Sequence, residues 1–497
     1  MPTKTIGFLT GIAVLLLCLL LPPPEGMRPE ALKAAGVALL MAIWWVTEAI
    51  PIYATAFVPL FLFPILGILE SGRTAENYGH NYVWMLIGGL VIAKAIEMQH
   101  LHKRIALLTI HYIGVDRKRI ILSFMLATAF LSMWLANVAV TLMMLPIALA
   151  VVHQEESQGS GANFGLVLML GLAYAASIGG MATLIGTPPN LVFTGIIDRL
   201  YPDAPDISFT DWMVIGVPLA ALLLPAGWLY LIWYFKVKGQ LEGSAALVRE
   251  ELLALGKMTT GERRVMYIFI LTSLGWIFRK SLNLGSLTIP GWGSLLGIDE
   301  YVHDTTVAIL GMLLLFIVKS GETTTSGQKK ALMSWKDAER VPWGVVMIVG
   351  GGYALADSFA HTGLAEWVGN EVTFLQNLPT FWILLFVITA ITFITEINSN
   401  TATANIFMPI LATMAIANQA HPYLLMIPAT FACSCAFMLP SGTGTNAVVF
   451  ASNKVSIPEM ARAGFLMNFI SIAIITLVAY FIIVPYFNLE VLPDWLE

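Results

Sequence analysis

The residues best suited to binding chemistry lie in TEINSNT, from Thr395 to Thr401, within an otherwise apolar run. Lipid penalises such polar groups, so we expect them to face a protein interior or a cavity. Asn, Ser and Thr supply neutral hydrogen-bond donors and acceptors without a buried charge. A hairpin tip or a broken helix also exposes unpaired N–H groups that attract anions and carbonyls that bind small cations. The stretch therefore predicts a joint site for an anion and a cation.

A related set of markers occurs in each half of the sequence. NVAVTLMMLP (137–146) matches NTATANIFMP (400–409), with the same separation between Asn and Pro. A glycine pair precedes each match, in IGGLVIA and VGGGYAL, and GTPPN or GTGTN follows it. Three markers in the same order at similar spacing predict an internal structural repeat.

The composition indicates a polytopic helical membrane protein. Of the 497 residues, 58% are hydrophobic and 11% are charged, whereas a soluble domain carries about 25% charged residues. The first apolar run continues into PPPEGMRPE with no small-residue cleavage site, so we interpret it as an uncleaved span. The three cysteines lie in apolar runs and give neither a disulfide framework nor a metal-ligand spacing. We expect lipid around the chain and no nucleic-acid partner.

The apolar segments predict about eleven transmembrane helices and two longer elements. The spans lie at roughly 6–22, 32–50, 51–69, 83–98, 165–196, 212–235, 265–279, 302–318, 344–361, 422–452 and 464–487. Segments 120–152 and 379–417 are too long for one upright crossing. A helix of about 33 residues measures about 50 Å, against a hydrocarbon core of about 30 Å. Each is either a long tilted helix or a re-entrant hairpin.

The charges of the loops favour the hairpins, because basic loops stay on the cytoplasmic side of the membrane. Basic loops lie at 102–119, 236–264 and 319–340, with a weaker one around Lys454 and Arg462. With a cytoplasmic N-terminus and two hairpins, all of these loops fall inside, whereas the acidic stretches 198–211 and 490–497 fall outside. If the first hairpin spanned the membrane, one basic loop would be forced outside. The pattern predicts a multi-pass protein of the plasma (inner) membrane with an external C-terminus.

The predicted fold is an all-α inverted repeat of the kind found in secondary transporters. The first repeat comprises residues 1–263 and the second 264–497, with scaffold and transport parts drawn from both. Segments 165–196 and 422–452 are predicted to be broken helices that meet the hairpin tips near the membrane midplane. Neither hairpin nor either Gly-Thr break contains Lys or Arg. Helix ends and bound cations would therefore neutralise an anionic substrate.

Simpler interpretations stay open for several residues. The Ser-Asn-Thr run at 399–401 can be polar contacts between packed helices or a helix N-cap, and GTPPN can be a break needed only for shape. Glu396 is either a proton or cation carrier or a structural carboxylate behind the tip, and we favour the structural role. Glu48 and Asp357 are also interpreted as structural. The sequence contains no HExxH, Walker A or nucleophile-elbow spacing, which argues against an enzyme.

Four longer motifs are WWVTEAIP (44–51), SIGGMATLIGTPPN (177–190), TEINSNTATANIFMPI (395–410) and FMLPSGTGTNAVVF (437–450). They resemble the divalent anion/sodium symporter family, the dicarboxylate, citrate and sulfate carriers often called INDY proteins. The resemblance covers essentially the whole chain. It implies a homodimer in which a fixed scaffold holds a transport domain that moves like an elevator. It also implies a substrate site between two Ser-Asn-Thr tips and two broken helices, with one sodium site in each half.

The resemblance assigns roles to individual residues. The substrate-binding residues would be Asn137, Val138, Thr187, Ser399, Asn400, Thr401 and Thr443. The first sodium site would use Ser132, Asn137 and the backbone of Ala136 and Gly186. The second would use Thr395, Asn400 and the backbone of Asn398 and Gly442. Co-transported sodium ions are the expected cofactors, with no organic one.

The sequence departs from the family pattern in two places. The first tip reads Ala136-Asn137-Val138, so both hydroxyls that flank the asparagine are missing. A lost hydroxyl costs on the order of 1 kcal/mol where its partner is left unpaired. One substrate carboxylate is therefore expected to be held less tightly, or a different anion to be preferred. The Gly-Thr pair at 444–445 replaces the Pro-Pro pair at 188–189 of the first half, which removes rigidity and adds a hydroxyl.

The predicted function is secondary active transport of a small dianion, a C4-dicarboxylate such as succinate, malate or fumarate, driven by inward sodium. The altered first tip keeps sodium-independent exchange open, and citrate and sulfate are further candidate anions. A proton or sodium antiporter without an organic substrate would use Glu396 as its carrier. A passive anion channel is disfavoured because an elevator has two offset gates.

Overall fold

The computed structural model describes residues 3–113, 116–157, 163–239, 250–284, 287–323, 327, 329–371 and 378–496. In these ranges the chain is almost entirely helical, as predicted. The N-terminal helices are α1 (Thr3–Leu20), α2 (Pro29–Thr47), α3 (Ile52–Thr55), α4 (Val58–Leu66) and α5 (Ser71–Glu76), followed by a 3₁₀ turn at Asn77–Gly79. The helix α1 packs along α2, and α2 also contacts α3 and α4.

The predicted span 51–69 is not one helix but the two short helices α3 and α4. Pro59 is the second residue of α4. Because proline has no N–H, it cannot donate to the carbonyl of Thr55, and the helical ladder is interrupted there. The two pieces together form an apolar segment, Ile52–Leu66, that is shorter than the longest spans.

The first half continues through the elements that build one side of the site. They are α6 (Asn81–Met98), α7 (Leu101–Ile113), α8 (Arg117–Ser132), α9 (Asn137–Ser157), α10 (Asn163–Gly180), α11 (Pro188–Leu200) and α12 (Phe209–Tyr234). The basic segment 102–119, predicted as a loop, is largely the helix α7. Its buried residues Leu101, Ala106, Leu107 and Ile110 recur with a helical period, so they form one apolar face that packs on α8.

A connecting group of elements separates the two halves. It contains the helices α13 (Thr260–Ile277), α14 (Trp292–Leu296), α15 (Asp304–Ile317) and α16 (Trp335–Ala338). Two small antiparallel hairpins depart from the all-α prediction: β1 (Leu282–Leu284) with β2 (Leu287–Ile289), and β3 (Lys319–Thr323) with β4 (Lys329–Ala331). The second lies in the basic segment 319–340, predicted as a loop. The predicted boundary between residues 263 and 264 lies inside α13.

The second half repeats the element order of the first. Its helices are α17 (Trp343–Thr362), α18 (Leu364–Glu371), α19 (Thr380–Thr395), α20 (Asn400–Ala417), α21 (Tyr423–Cys433), α22 (Gly444–Phe450) and α23 (Ile457–Val478). A π-helical segment, Ala479–Ile483, α24 (Val484–Phe487) and a 3₁₀ turn, Asp494–Leu496, complete the chain. Thus α6 to α12 correspond in order to α17 to α23.

Both long apolar segments are divided at the predicted tips. Residues 133–136 join α8 to α9, and residues 396–399 join α19 to α20. The helices α8 and α9 both pack against α10, and α19 and α20 both pack against α21. Each long segment is therefore a pair of helices held against the first part of a broken helix.

Many of the described helices suit a membrane. Nine of those in the described ranges are long and apolar enough to cross one, and four shorter apolar helices accompany them. Asn137–Glu156 and Asn400–Ala417, two of the nine, belong to the hairpins. The helix α10 lies at the centre of the protein and α1 at its periphery, because 94% of the residues of α10 are buried, against 11% of those of α1. The chain is a multi-pass membrane protein with α10 at its core.

Asp357 lies on α17 and has the structural surroundings expected for it. Its Oδ1 lies 2.7 Å from Nη2 of Arg73, and its Oδ2 accepts a hydrogen bond from Nδ2 of Asn77 at 3.1 Å. The carboxylate therefore links α17 to α5 and the 3₁₀ turn.

A second carboxylate, Asp304, forms a fully buried ion pair with Arg279, at 2.5 Å between Nε and Oδ1.

The contact of α8 with α10 depends on a glycine. A Cβ atom on Gly179 would collide with the backbone carbonyl of Ala129, which a side-chain rotation cannot relieve. We therefore expect Gly179→Ala to destabilise the protein by about 2 kcal/mol, the usual size of an overpacking effect. Thermal unfolding in detergent measures this. Gly72→Ala is the matched control, since no atom lies within 4 Å of its added Cβ. Equal unfolding temperatures for the two variants would contradict the packing of α8 on α10.

Candidate functional site

A cavity of about 500 Å³ lies where the two tips and the two helix breaks meet. All of the predicted substrate residues line it: Asn137, Val138, Thr187, Ser399, Asn400, Thr401 and Thr443. Of the predicted sodium ligands, Ala136, Gly186 and Gly442 also line it. Ser132, Thr395 and Asn398 are buried directly behind the tips. The structure therefore brings together residues from four separate stretches of sequence.

The first tip is organised around Asn137. Its side-chain amide lies 3.2 Å from the carbonyl of Ala176, 3.1 Å from that of Gly186 and 2.7 Å from Oγ of Ser132. The Ser132 hydroxyl also donates to the carbonyl of Ala176 at 2.7 Å. With its nitrogen inward, the amide satisfies these acceptors; with its oxygen inward, the same atoms form a cluster of oxygens. Such a cluster suits a small hard cation, since sodium binds neutral oxygens at broken helices.

The second tip has the same arrangement around Asn400. Oγ1 of Thr395 donates to Oδ1 of Asn400 at 3.0 Å and lies 2.8 Å from the carbonyl of Cys433. Ser132 and Thr395 thus occupy equivalent places, as do the carbonyls of Ala176 and Cys433. The two halves therefore build two similar groups of oxygen atoms behind the two tips.

The asparagines that end GTPPN and GTGTN brace the breaks in both halves. Nδ2 of Asn190 donates to the carbonyls of Gly180 (3.1 Å) and Thr183 (2.7 Å). Nδ2 of Asn446 donates in the same way to Ala436 (3.1 Å) and Leu439 (3.0 Å). Both residues are buried, so their role is to satisfy carbonyls that the unwound segments leave free. For these two positions the shape interpretation fits the structure.

Glu396 lies behind the second tip and accepts hydrogen bonds from the second break. Its carboxylate receives the backbone N–H groups of Phe437 (2.7 Å), Met438 (3.0 Å) and Leu439 (3.3 Å), and Nδ2 of Asn468 (2.7 Å). A buried carboxylate with so many donors is fully used in holding backbone in place. These contacts support the structural role favoured from the sequence. The first half has a different link, in which the Thr183 hydroxyl donates to the carbonyl of Met133.

Ser399 both caps the N-terminus of α20 and lines the cavity. Its Oγ accepts a hydrogen bond from the N–H of Ala402 at 3.3 Å, which makes it the N-cap of α20. The equivalent residue of the first tip, Ala136, has no hydroxyl and cannot cap α9 in this way. The N-cap interpretation therefore holds for Ser399, together with its position beside Asn400.

The hydroxyl that Thr445 adds does not reach the cavity. Thr445 is buried, and its Oγ1 lies 3.4 Å from Oγ of Ser177. Gly444 has a different significance, because Val138 of the first tip packs against it. A Cβ atom on Gly444 would lie 2.5 Å from Cγ2 of Val138. The two departures noted in the sequence are thus in direct contact.

Part of the cavity wall was missed from the sequence. Tyr53, Pro342 and Ser441 line the cavity, and so does Glu48, which was interpreted as structural. Glu48 ends α2 in a left-handed conformation with φ 46°, and its carboxylate lies 3.4 Å from Nζ of Lys4. The motif WWVTEAIP could have indicated that Glu48 lines a cavity, because a single carboxylate lies there between apolar residues. Among the described residues that line the cavity there is no Lys or Arg.

Comparison with known proteins gives a consistent result. A sequence profile described as the sodium:sulfate symporter transmembrane region matches residues 2–486. The sodium-dependent dicarboxylate transporter SdcS of Staphylococcus saprophyticus is 38% identical over 498 residues, covering 98% of this chain and 93% of the relative. SdcS of Staphylococcus aureus strain RF122 is 38% identical over 488 residues, covering 96% of this chain and 91% of the relative.

Two solved structures share the fold at low sequence identity. MtrF of Neisseria gonorrhoeae superposes with a TM-score of 0.57 at 11% identity, over 96% of this chain and 94% of MtrF. The YdaH transporter of Alcanivorax borkumensis superposes with a TM-score of 0.54 at 12% identity, over 99% of both chains. These likenesses concern the fold alone. From the profile match and the full-length relatives, the chain belongs to the sodium:sulfate symporter family, the divalent anion/sodium symporters that its motifs resemble.

Proposed function

We propose that the protein is a secondary active carrier that brings a C4-dicarboxylate across the plasma (inner) membrane together with sodium. The observation that carries the proposal is the pair of equivalent oxygen clusters, around Asn137 and Asn400, on either side of one cavity. Relatives that are 38% identical over nearly the whole chain are named sodium-dependent dicarboxylate transporters. Transport by such a carrier involves no covalent chemistry, so the protein is not proposed to be an enzyme.

The tips and breaks of the cavity offer neutral groups to a small anion, and Glu48, the one carboxylate among the described residues that line the cavity, lies 3.4 Å from Nζ of Lys4. The hydroxyls of the cavity, on Tyr53, Thr187, Ser399, Thr401, Ser441 and Thr443, are hydrogen-bond donors for a carboxylate. Because no Lys or Arg lines the described cavity, the charge of a dianion must be balanced by the first turns of the hairpin helices and by bound sodium. This makes sodium binding and anion binding mutually favourable, which is the thermodynamic requirement for coupling.

Each oxygen cluster is proposed to hold one sodium ion. The first comprises Oγ of Ser132, the side-chain oxygen of Asn137 and the carbonyls of Ala136 and Gly186. The second comprises Oγ1 of Thr395, Oδ1 of Asn400 and the carbonyls of Asn398 and Gly442. Of these groups, Oγ of Ser132 and the carbonyl of Gly186 lie 2.7 Å and 3.1 Å from the Asn137 amide. All of them are neutral oxygens, so a monovalent cation does not need a buried carboxylate to bind there.

The larger architecture is proposed from the repeat and the loop charges. The helices α6 to α12 and α17 to α23 would form two repeats of opposite orientation, with a cytoplasmic N-terminus and an external C-terminus. The hairpins and broken helices would move together against a fixed scaffold in a homodimer, as the family resemblance implies. A moving transport unit with two alternating openings distinguishes this carrier from a passive channel.

One alternative has a specific observation in its favour. The first tip lacks both hydroxyls that flank the asparagine of the second, so no N-cap of the Ser399 kind holds the segment that carries the first sodium cluster. If that cluster binds sodium too weakly to couple, the protein would exchange one dicarboxylate for another without sodium.

Uptake into liposomes separates these functions. We expect purified protein to accumulate labelled succinate when sodium is directed inward, and not when potassium replaces it. Uptake that ignores sodium but requires succinate inside the liposome would establish the exchanger instead. Competition by malate, fumarate, citrate and sulfate then defines the anion, and failure of all five anions to be carried or to compete would overturn the proposal.

A further inference from the structure

The two sides of the cavity differ in polarity. The second tip and second break present four hydroxyls, on Ser399, Thr401, Ser441 and Thr443. The first tip and first break present one, on Thr187, whose side chain is only 2% exposed. The large exposed side chain of the first tip is instead that of Val138, which is 39% exposed. A symmetrical dianion would therefore meet two unlike surfaces.

The start of the first broken helix follows the same division, whereas the two tip asparagines do not. With its oxygen towards Ser132, as the proposed sodium cluster requires, Asn137 turns its amide nitrogen away from that cluster, as Asn400 does. The helix α11 begins with Pro188 and Pro189, which have no N–H groups to offer an anion. The asymmetry of the site therefore rests on the hydroxyls, on Val138 and on these prolines, and not on the amides of Asn137 and Asn400, both of which line the cavity.

The position of Val138 is fixed by packing. Its Cγ2 lies against Gly444 of the second break, so closely that a Cβ on that glycine would be 2.5 Å away. The apolar methyl group is thus held at the point where the first tip and the second break meet. A threonine at this position, as at 401 in the second tip, would offer a donor in the same place.

We propose that Val138 makes the site one-ended: the second tip holds a single carboxylate firmly, and the other end of the substrate lies against Val138 and is selected only weakly for charge. The substrate class would then include four-carbon monocarboxylates with a neutral second end, besides dicarboxylates. This inference rests on the proposed function, because it takes the cavity to be the substrate site.

The test compares inhibition of labelled succinate uptake by succinate and by succinamate, in which a neutral amide replaces one carboxylate. In the wild-type protein we expect the two inhibition constants to differ by less than about tenfold, the factor that one charge-assisted hydrogen bond supplies. In Val138→Thr the new hydroxyl should bind the second carboxylate and raise this ratio about tenfold. Val214→Thr, on α12 at 40% exposure, is the matched control and should leave the ratio unchanged.

A second pair of variants tests the contact itself. Gly444→Ala should reduce succinate uptake, because its Cβ displaces Val138 from the tip. Adding Val138→Ala to it removes the colliding methyl groups and should restore most of the uptake. An unrescued double variant would show that Val138 is not positioned by Gly444.

The outcomes separate this inference from the proposed function. If the wild type carries succinate but rejects succinamate about 100-fold or more, the one-ended site is wrong and the carrier function stands. An unchanged ratio in Val138→Thr would overturn the inference in the same way. If succinate is neither carried nor raises the unfolding temperature of the purified protein, both fail. Thermal stabilisation by succinamate comparable to that by succinate supports the inference independently of transport.

Discussion

Replacing Asn400 by alanine is expected to lower sodium-driven succinate uptake by about 100-fold or more while the protein still folds. Asn400 is the first residue of α20 and lines the cavity. Its Oδ1 is bound to Thr395 and is a proposed sodium ligand, and its Nδ2 is available to a carboxylate. Losing both interactions amounts to about 3 kcal/mol, which corresponds to about two powers of ten. Thr401→Ala should act in the same direction, since it removes one hydroxyl from the same tip.

Asn81→Ala is the matched control for this experiment. Asn81 is also the first residue of its helix, α6, and its side chain is exposed outside the cavity. Uptake is normalised to the amount of protein in the membrane, and the unfolding temperature in detergent reports folding. Near-normal uptake by Asn400→Ala would show that the second tip is not the substrate site.

Replacing Glu396 by alanine is expected to destabilise the protein by about 3 kcal/mol or more, because a buried donor left unpaired costs about 1–3 kcal/mol. Three backbone N–H groups, of Phe437, Met438 and Leu439, and the side chain of Asn468 would lose their acceptor together. Thermal unfolding in detergent measures the loss, and uptake should fall with it because the second break is no longer held.

Glu396→Gln discriminates the structural role from a carrier role. The amide keeps one acceptor oxygen, so we expect an unfolding temperature between those of the wild type and of Glu396→Ala. A carrier carboxylate would behave differently, with an unchanged unfolding temperature and an altered pH dependence of uptake. Glu366→Ala, on the exposed side of α18, is the control for removing a carboxylate. An unfolding temperature for Glu396→Ala equal to that of this control would refute the structural role.

The contacts of Glu396 also explain how the second tip is linked to the second break. One carboxylate spans from the residue after α19 to the unwound segment between α21 and α22. Any displacement of the tip therefore pulls on the backbone at 437–439. The first half achieves the corresponding link with the Thr183 hydroxyl and the carbonyl of Met133, a neutral contact that involves one bond instead of several.

Local pattern was sufficient to predict most of the helical spans, the two hairpins and the position of both breaks. The tips were predictable because polar residues in an apolar run must be buried in protein or line a cavity, and the Asn-to-Pro spacing repeats. Among the features that were misjudged, two have equally local causes. The charges of 102–119 obscured the apolar face of α7, and Pro59 divides the span 51–69.

The sequence by itself determined that this is a membrane protein with two repeated hairpins, and which asparagines and hydroxyls lie at their tips. Only the tertiary structure decided that Val138 packs on Gly444, that Glu396 binds the backbone at 437–439, and that the hydroxyl of Thr445 contacts those of Ser177 and Thr443. The physical reason is that periodicity and polarity report how each segment meets lipid or protein. The partner of a side chain, in contrast, depends on the approach of segments that are far apart along the chain, by 306 positions in the case of residues 138 and 444.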